Sequence, residues 1–185
     1  MKQIILGSVF VFYPLIVFFG LQWVEPAYIA LALVCLAGLR FYYSKTTTNI
    51  PFIKVAGINI IILLMLSFFS NSSFLLKLYP VVMSLSFLSI FLYSIIKPPA
   101  VITLIAGTRG KLTVNSVEYT KKVTKVWCVF FLANALISLV TVFLSDEIWA
   151  LYNGLISYVL MGVLFLGEWI VRKRFKANDQ SDYIT

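Results

Sequence analysis

Six long apolar runs dominate the chain, at 4–24, 27–43, 52–69, 78–96, 126–144 and 148–171. A helix needs about 20 predominantly apolar residues to cross the hydrocarbon of a bilayer. No water is available there to hydrogen-bond free backbone groups, so runs of this length are expected to be helices. Charged residues make up 12% of the 185 residues and apolar ones 61%. A soluble domain carries about a quarter charged residues. Too few charges are present to clothe a water-facing surface. The fold class expected is all-α: a polytopic membrane protein with six transmembrane helices. The first run is expected to be a retained span rather than a cleaved leader, because it exceeds a usual signal core and no small-x-small site closes it before Glu25-Pro26.

The charges test that topology. Six spans place both termini on one side, with Lys2, Arg40, Lys45, Lys54, Lys97, Arg109, Lys111, Lys121, Lys122, Lys125, Arg172, Lys173, Arg174 and Lys176. That face holds fourteen of the fifteen basic residues, and the other holds Lys77 with Glu25, Asp146 and Glu147. Basic residues in short loops stay cytoplasmic, so both termini are expected in the cytoplasm. The organisation is then a transmembrane domain over 1–171 with a basic cytoplasmic loop at 97–125, and a cytoplasmic tail at 172–185. Lys54 and Lys77 lie near helix ends and are expected to snorkel to the headgroups. Pro14 lies within the first run, where it opposes the carbonyl of Phe10 and should kink a helix, whereas Pro80 falls near a helix start, where proline is tolerated.

Much chemistry is absent. The chain has no histidine, which removes His-based acid–base and nucleophile systems and His-ligated metals. Its two cysteines, Cys35 and Cys128, lie far apart in apolar runs and are expected to be buried as small apolar side chains. Gly107, Gly110 and Lys111 do not make a phosphate loop. No convergent nucleophile and base can be named, so neither enzyme chemistry nor a cofactor or metal is expected. The net charge of +8 sits at membrane-flanking positions rather than in a nucleic-acid-binding pattern.

Three features remain as candidates for function. The 97–125 loop combines an apolar stretch, 100–106, with Lys97, Arg109, Lys111, Lys121, Lys122 and Lys125. Asn115 with Glu118 resembles a capping box, so a helix should start there and run through the fifth span, with Trp127 in an interfacial aromatic belt. This loop is either an anchor on anionic lipid headgroups or a docking patch for an acidic cytoplasmic protein. Second, Asn134, Ser138 and Thr141 form a polar stripe at helical spacing. Folding back about Asp146-Glu147 sets Thr141 near Asn153 and Ser138 near Ser157, with Ala150, Gly154 and Gly162 on a common face. Such seams hold helices together; the alternative is a transport path. Third, Glu168 lies inside an apolar run with Arg172 four residues on, the spacing of an ion pair, and an intramembrane acid is a functional candidate.

Residues also match known patterns. Tyr13-Pro14-Leu15-Ile16-Val17-Phe18-Phe19, Lys97-Pro98, Val126-Trp127-Cys128-Val129-Phe130-Phe131, Asn134, Trp149 and Tyr152 resemble, in order and spacing, the bacterial intracellular septation protein A family. Asn153 departs from it, standing where many septation proteins carry lysine. The segments 119–127 and 149–158 are more similar still to uncharacterised inner-membrane proteins encoded beside ketosynthase and acyl carrier genes for fatty-acid or aryl-polyene synthesis. The resemblance implies a bacterial inner-membrane location and envelope work through protein partners, acyl carrier protein among them. It implies no catalytic residue. The expected function is a non-enzymatic organiser of envelope or acyl-lipid synthesis; the alternative is a small transporter or flippase for an acyl-chain product.

Overall fold

The computed structural model describes residues 13–43, 51–108 and 112–181. Every element in these stretches is helical, with no strand among the described residues. In chain order they are α1 (Tyr13–Gly20), α2 (Pro26–Tyr43), α3 (Pro51–Ser70), α4 (Ser73–Lys77), α5 (Tyr79–Ile96), α6 (Val101–Gly107), α7 (Val114–Val142) and α8 (Asp146–Leu151). A π-helical turn (Tyr152–Ile156) then leads into α9 (Ser157–Ser181).

Among the described residues, three segments are long and apolar enough to cross a membrane: Ser73–Ile96, Val114–Val142 and Asp146–Phe175. Two shorter apolar helical stretches, Pro26–Leu36 and Ile61–Ser70, accompany them. Residues 4–12 of the first expected span, the carbonyl of Phe10 that Pro14 would crowd, the loop at 44–50, Arg109 and Lys111, and the end of the tail lie outside the described residues.

Helix ends follow local chemistry. The α7 cap is Thr113, whose Oγ1 accepts from the Ser116 N–H at 3.2 Å. The expected Asn115–Glu118 box does not form: Asn115 is already inside the helix, and Glu118 bonds Lys122 instead at 2.9 Å. A threonine two residues upstream satisfies the free N–H groups first. Ser145 caps α8, with Asp146 and Glu147 in the first turn, where acids meet the positive end of the helix dipole. Pro80 sits in the first turn of α5, as expected. Asn71 ends α3 in the left-handed region at φ 47°, which asparagine tolerates better than most residues.

Antiparallel neighbours pack in the order α2, α3, α5, α7, while α1 lies against α8 and the π turn. Two apolar clusters divide the interior. At the Asp146 end, Val17, Leu33, Leu64, Leu76 and Trp149 are essentially inaccessible. Toward the Lys121 end, Ile90, Phe91, Trp127, Cys128 and Phe131 pack together. Trp127 is thus a core residue, 4.6 Å between ring centroids from Phe165, and not the interfacial residue expected. Cys128 is buried as expected, but Cys35 is exposed on α2. The last segment stands apart: 6% of its apolar window is buried in the molecule, against 28% and 33% for the other two.

Candidate functional site

The polar seam forms where α7 meets the π turn. Asn153 is 3% exposed and uses its whole amide. Its Nδ2 donates to Thr141 Oγ1 at 3.0 Å and to the Trp149 carbonyl at 2.9 Å, and its Oδ1 accepts from Ser138 Oγ at 2.7 Å. Thr141 therefore meets Asn153 as expected. Ser138 and Ser157 both bond Asn153 rather than each other, Ser157 Oγ donating to the Asn153 carbonyl at 3.1 Å. These side-chain bonds engage one carbonyl of α8 and one of the turn, and the Ser157 N–H reaches back to Tyr152 in the wider π pattern. The expected small-residue face also breaks up. Ala150 is buried, but a Cβ on Gly162 would meet nothing within 4 Å.

One turn along α7, Asn134 Nδ2 donates to Ser84 Oγ on α5 at 2.9 Å, and Tyr152 OH donates to Asn134 Oδ1 at 3.1 Å. Ser84 and Tyr152 were not visible as partners in the sequence, because nothing distinguishes Ser84 from Ser86, Ser89 and Ser94 of the same run, or Tyr152 from Tyr158. Among the described residues every buried side-chain polar atom has a partner. A polar group without a partner in an apolar interior costs roughly 1–3 kcal/mol; a closed network of amides and hydroxyls avoids that cost. It joins α5, α7 and the π turn, and its ionisable member, the Tyr152 phenol, is committed to Asn134 Oδ1.

Glu168 and Arg172 lie elsewhere. The ion pairs among the described residues are Lys77–Asp146 and Glu118–Lys122, so the expected Glu168–Arg172 pair does not form. Both are half-buried near the Lys121 end, where water competes for such a pair. The contact made there is between helices: Tyr119 OH donates to the Glu168 carbonyl at 3.4 Å, and the Tyr119 ring stacks on Phe175 with centroids 4.7 Å apart. The residues Asn134, Asn153, Glu168 and Arg172 therefore do not form one intramembrane site.

Lys77 departs from expectation as well. Its ammonium pairs with Asp146, and its side chain is only 13% exposed, so it does not snorkel to headgroups. Its carbonyl accepts the Trp149 indole N–H at 3.0 Å. The signal available in the sequence was charge: the expected topology sets Lys77 with the acids Asp146 and Glu147.

The basic end is built on a helical hairpin. Pro98 and Pro99 stop α5, and Ser94 Oγ accepts the Val101 N–H at 3.1 Å to start α6. Thr103 and Thr120 then share a buried hydroxyl contact at 2.7 Å, fixing α6 against the start of α7. Lys97, Lys121, Lys122 and Lys125 are exposed around this hairpin. Lys97 lies over the Tyr93 ring at 5.4 Å, and Lys173 over the Trp169 ring at 3.8 Å. No three His, Cys, Asp or Glu side chains among the described residues converge as metal ligands.

No protein-family model matches the chain, and no curated protein or solved structure is significantly similar to it. The class that the described residues define is an all-helical protein with three helices long and apolar enough to cross a membrane.

Proposed function

We propose that this chain is a six-span bacterial inner-membrane protein with both termini in the cytoplasm, which organises envelope or acyl-lipid synthesis without catalysing a step. The observation that carries this reading is the contrast, among the described residues, between a polar interior whose buried groups all have partners and exposed basic groups gathered at one end. A transporter needs polar groups that can exchange partners with a substrate; here Asn134 and Asn153 are committed to other helices. The fourteen-to-one division of basic residues supports a cytoplasmic placement for the Lys121 end. The resemblance to septation protein A and to proteins encoded with acyl-lipid genes supports an acidic protein partner, acyl carrier protein foremost. Complementary charge would speed the encounter more than it tightens the complex.

Reporter fusions after Lys45, Gly110 and Lys176 should read cytoplasmic, and fusions at Ser72 and Asp146 periplasmic. The purified protein should capture acyl carrier protein at low salt and release it at high salt. Changing Arg109 and Lys111 to Gln should weaken that capture. A periplasmic C-terminus would overturn the topology. Absent capture together with substrate-dependent flux in liposomes would favour the transporter.

A further inference from the structure

Lys121 and Lys125 begin a stripe. Residues 121, 125, 129, 132 and 136 follow one another at helical offsets of four, four, three and four, so they share one face of α7. All five are exposed, with Val129 at 69%, Leu132 at 47% and Leu136 at 57%. The opposite face, with Thr120, Thr124, Trp127, Phe131 and Ser138, is buried against the other helices. Two cations thus head a continuous apolar track that no other described element covers.

Length places this junction at the membrane surface. From Lys125 to Phe143 the helix rises about 27 Å, close to the roughly 30 Å of bilayer hydrocarbon. Lys125 then lies at the edge of the hydrocarbon, and Lys121 one turn out among the headgroups. Neither has an ion-pair partner among the described residues, whereas Lys122 is held by Glu118. With Glu118 included, the local charge is still positive.

We propose that Lys121 and Lys125 hold the headgroup phosphate of an anionic phospholipid, with an acyl chain lying on Val129, Leu132 and Leu136. The proposal rests on α7 spanning the bilayer as read above. A soluble acidic protein could meet the lysines but not the apolar track beneath them; a phospholipid matches both.

The test uses the full chain in nanodiscs of phosphatidylcholine containing about one-fifth phosphatidylglycerol, followed by mass spectrometry of the lipid retained after extraction. The wild type should retain phosphatidylglycerol above its share of the bilayer. Each lysine should contribute roughly fivefold, the equivalent of about 1 kcal/mol per basic residue near the surface. Lys121→Gln/Lys125→Gln should remove most of that preference, while Lys173→Gln, which lowers the charge elsewhere at the same end, should keep it. Excess acyl carrier protein in the aqueous phase should leave retention unchanged. Equal retention of both lipids by the wild type overturns the site without using any variant. So does a double variant as selective as the wild type, or displacement of the lipid by the carrier protein. The organiser reading fails separately, on absent protein capture measured without phosphatidylglycerol.

Discussion

The two ends of the molecule are built by opposite rules. At the Asp146 end the connections are tied to one another by side chains. Asn71 accepts from the Ala27 N–H at 3.0 Å and donates to Glu25 at 3.4 Å, while Lys77 meets Asp146 and its carbonyl takes the Trp149 indole. At the Lys121 end the helices meet mainly through the apolar cluster around Phe131, with short polar contacts at Ser94–Val101, Thr103–Thr120 and Tyr119–Glu168. The charged groups there mostly face outward. One end spends its polar groups on internal partners; the other keeps them available. Stability should therefore concentrate where charge is scarce, and binding where charge is abundant.

The strongest way to break this contrast is Trp149→Ala. Trp149 is 1% exposed and joins packing to the Lys77 carbonyl, so its loss should cost about 3–5 kcal/mol, read as a large fall in melting temperature in detergent. Next, Asn153→Leu removes three hydrogen bonds and leaves buried hydroxyls to find new partners; it should cost about 2 kcal/mol. Ser89→Leu makes the control, since Ser89 bonds only within its own helix and should cost under about 0.5 kcal/mol. Equal melting of these two variants would remove the seam from the account. Asp146→Asn should cost at most about 1 kcal/mol at low salt and less at high salt, because the carboxylate is half-exposed. Smallest of all, Lys121→Gln/Lys125→Gln should shift melting by no more than about 0.5 kcal/mol while changing what the protein binds. A larger loss of stability would show that the basic end is structural after all.

Much of the helix content was legible in the sequence, because apolar runs that long have few other fates. The expected run 78–96 and the observed Tyr79–Ile96 differ by a single residue. Facing was less legible. A membrane helix is apolar toward its neighbours and toward lipid alike, so periodicity says little about which side is inside. Polar residues break that degeneracy, and the meeting of Thr141 with Asn153 could be read from spacing alone. Where only aromatics were present the reading failed: Trp127 carries the same sequence signal whether it lies at the interface or against Phe165. Glu168 and Arg172 had ideal spacing, but spacing does not decide a pair when both side chains can also reach water.

The π turn at Tyr152–Ile156 resets the angular phase of everything after it. In an uninterrupted α-helix, Met161, twelve residues beyond Trp149, would point about 120° away from it. One extra residue in the turn takes back about 100°. Trp149, Met161 and Glu168 thereby fall on nearly one meridian, and α9 meets α7 through Met161, Leu164, Phe165 and, further on, Phe175. Removing one residue from this turn would restore an uninterrupted α-helix and keep that meridian, whereas straightening the turn with all its residues present would rotate α9 by about 100° and swing the Tyr119–Phe175 stack apart.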